Sequence, residues 1–137
     1  MQCEFCRIIA TERAGYIVFE DAISVAFLDH RPLFPGHVLL VTRQHFETLL
    51  DLPRDLIGPL FTNAQLLASA VQRAMQADGS FVAMNNVVSQ SVPHFHIHIV
   101  PRKRGDGLRG FFWPRHKATA EELQTAQQSV LNALRPR

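Results

Sequence analysis

Three histidines alternate with apolar residues in the segment His94-Phe95-His96-Ile97-His98-Ile99-Val100. Because successive side chains of a β-strand point to opposite faces, this pattern predicts a strand with imidazoles on one face and apolar side chains on the other. Imidazole has an unperturbed pKa of about 6.5, so near neutral pH it can act as a nucleophile, a base, an acid or a metal ligand. The desolvation cost of three buried imidazoles makes a purely structural role a poor explanation.

Two kinds of chemistry fit this spacing. Histidines two residues apart on a strand can converge on one zinc ion, as in a metal hydrolase. Alternatively, one imidazole can serve as the nucleophile of a covalent mechanism. The three histidines alone do not decide between these alternatives.

Composition restricts the class of protein. The chain has 137 residues, of which 47% are hydrophobic and 19% charged, as expected for one globular domain without disorder. A net charge of +2 is too small to predict nucleic-acid binding, although the basic run 102–104 fits either a phosphate-bearing ligand or a solvated turn. No segment resembles a targeting signal or a membrane span, so we expect a cytoplasmic protein without a membrane partner.

The chain begins with a Cys-x-x-Cys motif formed by Cys3 and Cys6. In a reducing compartment this motif indicates metal binding or redox chemistry more than a structural disulfide. The segment Cys3–Ile9 also fits a short helical turn with Phe5, Ile8 and Ile9 as its apolar contacts.

Hydrophobic periodicity predicts an α+β fold. Runs rich in β-branched and aromatic residues predict strands at Tyr16–Glu20, Ser24–Leu28, His37–Thr42, Phe81–Met84 and His94–Val100. A helical pattern follows Pro53 and ends before Gly79, and Pro59 within it predicts a kink or a later start of the regular helix. Thr119-x-x-Glu122 is a capping box that opens a C-terminal helix running to about Leu134. Because most strands follow one another directly, we expect an antiparallel sheet with helices on one face.

The histidine segment matches the signature His-φ-His-φ-His-φ-φ, with φ apolar, and therefore resembles the histidine triad (HIT) family. Three further segments resemble family motifs in the same order: Phe27-Leu28-Asp29 and Pro35-Gly36-His37-Val38-Leu39 resemble its nucleoside-binding strand and loop, and Gln90-Ser91-Val92 resembles its phosphate loop. Bacterial-type members carry the N-terminal Cys-x-x-Cys. The resemblance implies one HIT domain over 1–137, with a core of about 3–101, a tail and helix at 102–137, and a five- or six-stranded meander sheet with one long helix.

The resemblance also implies an activity. Family members hydrolyse or transfer the α-phosphate of purine nucleotide conjugates, such as phosphoramidates or dinucleoside polyphosphates, through a covalent nucleotidyl-histidine. By position, His96 is the implied nucleophile and His98 assists the leaving group. The implied phosphate ligands are Asn85, Gln90, Ser91 and His98, and the implied nucleoside ligands are Asp29, Phe5, Ile8, Phe27 and Leu28. A zinc-stabilised nucleotide-binding module that acts through protein partners is the alternative. Neither the covalent mechanism nor the binding module requires a catalytic metal.

A structural zinc ion is implied for the same branch. The matching positions are Cys3, Cys6, His45 and His94, a closed set of two thiolates and two imidazoles. This assignment gives His94 a structural role and separates it from the chemistry of His96. Family members are typically homodimers whose C-terminal segments reach the partner's pocket, and Trp113 in the run Phe111-Phe112-Trp113-Pro114 is the candidate for that contact.

Overall fold

The computed structural model describes residues 3–108 and 115–135. Its helices and strands are α1 (Glu4–Ile9), β1 (Ile17–Glu20), β2 (Ser24–Leu28), β3 (Val38–Thr42), α2 (Arg54–Ala74), β4 (Gly79–Ala83), β5 (His96–Arg102) and α3 (Ala120–Leu134), with a short 3-10 turn at Leu49–Asp51. The chain divides into two compact units, Met1–Asp106 and Gly107–Arg137. The first unit contains the sheet with α1 and α2. The segment with Trp113 lies outside the described residues.

The five strands form one antiparallel sheet in the order β1-β2-β3-β5-β4. This confirms the predicted α+β class and the five-stranded count. The order departs from a strict meander, however, because α2 takes the chain from β3 to the far edge. The final strand, β5, then fills the space between β3 and β4, and so pairs on both sides. The strand with the histidines is therefore at an interior position of the sheet.

The two faces of the sheet carry different helices. One face packs Ala26, Leu40, Ile97 and Ile99 against a buried stripe of α2. The other face carries a second cluster in which α1 covers apolar side chains of β2 and β3. The prediction that the helices lie on one face of the sheet was therefore wrong. Helix α1 is too short to give a periodic signal in the sequence, but its own Phe5 and Ile8 are buried against the sheet. His96 and His98 lie opposite Val41 and Leu39 in the strand register, on the α1 side.

The predicted alternation holds for β5, but the strand starts later than expected. Phe95, Ile97 and Ile99 are buried on the α2 side. His94 lies before the strand, since the ladder with β3 ends at the pair Val41 and His96. Pro93 lacks an N–H group, so the chain cannot extend the hydrogen-bonded ladder through that residue. His94 therefore turns away from the regular strand.

Pro53 and the capping residues behave as predicted, but a later start of the regular helix near Pro59 was wrong. Pro53 is the N-cap of α2, and the helix continues through Pro59, which is exposed, so water can satisfy the Asp55 carbonyl that Pro59 leaves without a donor. In the second unit, Thr119 and Glu122 form the predicted capping box of α3. Among the described residues, no helix is long and apolar enough to cross a bilayer.

Candidate active site and metal centre

A cavity of about 600 Å³ opens between α1, the ends of β2 and β3, and β5. Its lining brings together eight of the residues expected at the site: Phe5, Ile8, Phe27, Leu28, Asp29, Ser91, His96 and His98. The size fits the usual range of small-ligand pockets, as does the combination of apolar walls and a few polar groups. The segments proposed for nucleoside, phosphate and chemistry therefore share one cavity.

The ring of His96 has a defined protonation state. Its Nδ1 lies 2.7 Å from the backbone carbonyl oxygen of His94. A carbonyl oxygen only accepts, so Nδ1 carries the proton and Nε2 keeps its lone pair. Burial lowers the pKa of His96, and the carbonyl contact opposes that shift. His96 is therefore a neutral imidazole whose free nitrogen is available to a ligand in the cavity.

His98 is fixed in the opposite tautomer by His37. The Leu33 N–H group donates to Nδ1 of His37 at 3.1 Å, so the proton of neutral His37 lies on Nε2. That N–H group donates to Nδ1 of His98 at 3.0 Å. His98 therefore carries its own proton on Nε2 and offers a hydrogen-bond donor. Burial, with the neighbouring His96 and His37, lowers the pKa of His98 to about 4, and burial also lowers the pKa of His37.

Asp29 lies beside this pair of histidines. One carboxylate oxygen accepts from the Arg31 N–H group at 2.9 Å, and the other lies 3.6 Å from Nε2 of His37. Asp29, His37 and His98 each present a potential ligand atom within 4.8 Å of the others. The hydrogen bonds argue against a metal there, because the Leu33 donor requires the proton of His37 to sit on the nitrogen that would ligate. The tautomer of His37 thus disfavours a metal ion held jointly by Asp29, His37 and His98.

In the loop before the triad, the side-chain amides of Asn85 and Gln90 bond to backbone groups. Gln90 donates to the Glu47 carbonyl at 2.6 Å and accepts from the Val87 N–H at 3.1 Å. Asn85 donates to the Ser89 carbonyl at 3.2 Å. The cavity lining includes Ser91 but neither amide. A phosphate-binding role for Asn85 and Gln90 stays a prediction, while their contacts in this structure shape the loop.

The walls also include residues that were not among the expected nucleoside or phosphate ligands. Leu39 lines the cavity from β3, and alternation from His37 could have found it. Glu4 and Arg13 form an ion pair at 2.8 Å on the cavity lining, and Tyr16 is exposed beside them. The ion pair had no sequence signal, because eight residues of helix and turn separate Glu4 from Arg13.

The four predicted metal ligands meet on the other side of α1. Nδ1 of His94 lies 3.4 Å from the sulfur of Cys3 and 3.5 Å from that of Cys6, and Nδ1 of His45 lies 3.3 Å from the Cys6 sulfur. A tetrahedral zinc ion with bonds of about 2.3 Å to sulfur and about 2.0–2.1 Å to nitrogen separates these atoms by about 3.6 Å. The four donor atoms therefore have the spacing of a closed tetrahedral centre.

The protonation of His94 fits the same centre. Its Nε2 lies 2.7 Å from the Thr42 carbonyl oxygen, so Nε2 carries the proton and the lone pair of Nδ1 faces the sulfurs. Such a carbonyl contact commonly orients a metal-bound histidine. Burial lowers the pKa of His94 to about 4, which keeps it in the neutral ligand form. Burial and the neighbouring Cys3 raise the pKa of the Cys6 thiol to about 11, a cost that a bound cation would remove.

Comparison with known proteins identifies the family. The HIT domain model matches residues 10–105, and the chain belongs to the HIT family. An uncharacterized HIT-like protein of Saccharolobus solfataricus is 36% identical over 97% of this chain and 98% of its own length. The adenosine 5'-monophosphoramidase HNT1 of Saccharomyces cerevisiae is 31% identical over 96% and 82%.

Solved structures agree with this assignment. A HIT family protein of Bacillus subtilis is 32% identical and superposes with a TM-score of 0.88 over 100% of both chains. A zinc-bound histidine triad protein of Mycobacterium smegmatis is 30% identical, with a TM-score of 0.75 over 97% of this chain and 98% of that one. The resemblance inferred from the triad is confirmed as a family relationship.

Proposed function

We propose that this chain hydrolyses or transfers the nucleotidyl group of purine nucleotide conjugates through a covalent intermediate on His96. The observation that carries the proposal is the 2.7 Å hydrogen bond from Nδ1 of His96 to the His94 carbonyl, which leaves a lone pair on Nε2 in a cavity of nucleotide size. Attack by Nε2 on the α-phosphorus forms a P–N bond as the bond to the leaving group breaks. The ring becomes cationic while Nδ1 keeps its proton, and the carbonyl oxygen stabilises that charge.

His98 assists this displacement. Its Nε2–H group, fixed by the hydrogen bond from His37, donates to a phosphoryl oxygen or to the departing atom. The ring is neutral, so it keeps its Nε2 proton and stabilises the developing charge by this hydrogen bond, while the leaving group takes its proton from solvent. Water then attacks the phosphorus and loses a proton to solvent. The P–N bond breaks, and His96 recovers its lone pair.

The remaining cavity residues hold the substrate. Ser91 is suited to a phosphate oxygen, and the Asp29 carboxylate can accept from the two ribose hydroxyls while the Arg31 N–H group fixes its orientation. Phe5 and Phe27 lie edge to face with their ring centroids 5.3 Å apart. With Ile8 and Leu39 they form an apolar wall that suits a purine ring. The named activity of the yeast relative supports a phosphoramidate as the first substrate to test.

A zinc ion at Cys3, Cys6, His45 and His94 belongs to the proposal. The donor spacing and the tautomer of His94 support it, as does the zinc-bound relative. The ion, when bound, holds the thiolates and imidazoles together as a structural centre. Protein purified without chelator should contain one zinc ion per chain. Clearly substoichiometric zinc in the wild-type protein, together with normal folding of a Cys3→Ser variant, would contradict this assignment.

Two further expectations complete the proposal. We expect a homodimer, which light scattering of the purified protein measures directly. We also expect a cytoplasmic location, where the two thiols remain reduced and able to bind a metal ion.

The decisive experiment is a substrate panel with AMP-lysine, AMP-morpholidate, diadenosine tri- and tetraphosphate, and adenylylsulfate. The His96→Asn variant should lose about a thousandfold or more in turnover, since removal of a nucleophile eliminates the covalent route, while AMP binding persists. His116→Asn, an exposed histidine of the second unit, is the matched control. Equal rates for His96→Asn and wild type reject the mechanism. If no substrate is cleaved faster by wild type than by the variant, the alternative of a nucleotide-binding module acting through protein partners is favoured.

A further inference from the structure

Helix α1 has two functional faces. Cys3 is its N-cap and Cys6 lies within it, and both sulfurs face the metal centre. Phe5 and Ile8, on the same helix, are buried and line the nucleotide cavity. A helix of six residues has little stability of its own. The position of the cavity wall therefore depends on what holds the two cysteines.

The ring of Phe5 packs between the metal centre and the proposed nucleophile. Its centroid lies 5.0 Å from that of His96, with the ring planes at 88°. The same ring lies 5.9 Å from His94, also edge to face. Such pairs contribute about 0.5–1.5 kcal/mol beyond the burial of area, and they fix ring orientation. Phe5 thus restrains the plane of the His96 imidazole from the side of α1.

A second restraint on His96 comes from the same centre. The ring of His94 faces the two sulfurs through Nδ1, and its backbone carbonyl accepts the Nδ1 proton of His96. Both of these restraints therefore come from the proposed metal centre. The carbonyl group belongs to His94, a proposed ligand, and the Phe5 ring lies between Cys3 and Cys6 in the sequence. This arrangement does not depend on any change in protonation.

We propose that Phe5 is a positioning residue that couples the metal centre to the nucleotide site, so that an ion at Cys3, Cys6, His45 and His94 and a nucleotide in the cavity strengthen each other's binding. This inference rests on the proposed function, because it assigns the cavity to a nucleotide and His96 to the chemistry. It adds a linkage between two sites that share one helix and one histidine. By thermodynamic necessity the coupling is reciprocal.

The first test is a linkage measurement on the full chain. AMP affinity is measured by calorimetry in zinc-loaded and chelator-stripped protein, and zinc affinity is measured by chelator competition with and without saturating AMP. We expect stripping to weaken AMP binding by about 5- to 150-fold, and AMP to strengthen zinc binding by the same factor. Equal AMP affinities in folded loaded and stripped protein refute the coupling.

The second test separates Phe5 from the rest of the cavity wall. Phe5→Leu and Phe27→Leu each remove a phenyl ring from the same apolar cluster. Of the two residues, only Phe5 lies between Cys3 and Cys6 in the sequence. In Phe5→Leu the ratio of the AMP affinities of zinc-loaded and stripped protein should shrink toward one. Phe27→Leu should weaken AMP binding and keep the wild-type ratio. Phe5→Tyr, which keeps the ring, should restore the coupling. A zinc dependence that is unchanged in Phe5→Leu contradicts the assignment.

A third measurement needs no nucleotide. Diethyl pyrocarbonate modifies unprotonated imidazoles, and mass spectrometry locates the products, with exposed His116 as the internal reference. His96 is only 2% exposed, so loss of the Phe5 restraint should raise its relative rate several-fold, both in stripped wild type and in zinc-loaded Phe5→Leu. Circular dichroism verifies that each form is folded. If stripping unfolds the chain, the comparison of zinc-loaded Phe5→Leu with zinc-loaded wild type decides. Unchanged His96 reactivity in that variant refutes the positioning role of Phe5. Failure of every form to bind AMP instead refutes the proposed function, and with it the linkage to a nucleotide.

Discussion

Replacement of His37 by Phe tests the hydrogen bonds that fix the tautomer of His98, the proposed hydrogen-bond donor to the substrate. His37 is 3% exposed, accepts from the Leu33 N–H group at 3.1 Å and donates to Nδ1 of His98 at 3.0 Å. Phenylalanine fills a similar volume but neither accepts nor donates. His98 then loses the partner that keeps its proton on Nε2, the nitrogen left for the substrate.

The expected loss follows from the hydrogen bond at stake. If His98 keeps its tautomer, its half-buried ring is left with an unsatisfied Nδ1, at a cost of about 1–3 kcal/mol. If the proton moves to Nδ1, a lone pair faces the phosphate and a hydrogen bond to a charged group, about 1.5–3 kcal/mol, is lost. The second outcome lowers kcat/KM by about 10- to 150-fold. The loss should appear in kcat more than in KM, because the donor acts on charge that develops during the displacement.

Glutamine at position 37 is the matched control. Its amide can donate to His98 and accept from Leu33, so His37→Gln should keep most of the activity. Steady-state rates on AMP-morpholidate, with AMP affinity measured separately, distinguish the two variants. Wild-type kcat/KM in His37→Phe, or equal losses in both variants, would show that His37 does not set the tautomer of His98.

Three further predictions concern stability. Between pH 6.5 and 4 the unfolded chain binds a proton at His98 that the folded state resists. The contribution of His98 to the free energy of unfolding should therefore be fully present above pH 6.5 and be lost toward pH 4, a fall of about 1–3 kcal/mol. Urea titrations of wild type and His98→Asn should differ in this slope. Gly36→Ala should lower the free energy of unfolding by about 1–3 kcal/mol, because φ is +92° and a Cβ would lie 2.5 Å from Met75; an unchanged thermal midpoint contradicts this. Val87→Gly should raise stability by about 0.5–2 kcal/mol, since this exposed β-branched residue has φ of +70°; a lower midpoint would exclude strain as the dominant effect.

The sequence was most informative where a local pattern has one physical meaning. Alternation in Phe95, Ile97 and Ile99 predicted the buried face of β5, and the capping box at Thr119 predicted where α3 begins. The family resemblance also implied the four residues whose donor atoms meet at the candidate metal centre. These signals depend on neighbours in sequence or on a pattern long enough to be specific.

Local sequence patterns did not predict how segments distant in sequence are placed beside one another. Nothing in the sequence of β4 shows that β5 lies between it and β3, since the position of β4 depends on the path of α2. The side chains of Gln90 and Asn85 were expected on phosphate, but a loop with positive φ at Val87 and Ser89 places their amides on backbone groups. Backbone geometry of this kind is set by tertiary contacts and has no periodicity to read.

The division of labour among the three triad histidines follows from the partner of one ring nitrogen in each. For His94, the Thr42 carbonyl holds the Nε2 proton and turns Nδ1 toward the sulfurs. For His96, the carbonyl of His94 holds the Nδ1 proton and leaves Nε2 with its lone pair. For His98, His37 donates to Nδ1 and leaves a proton on Nε2. Three side chains of the same type thus have the tautomers that the proposed metal ligand, nucleophile and hydrogen-bond donor require, and the neighbouring groups fix those tautomers.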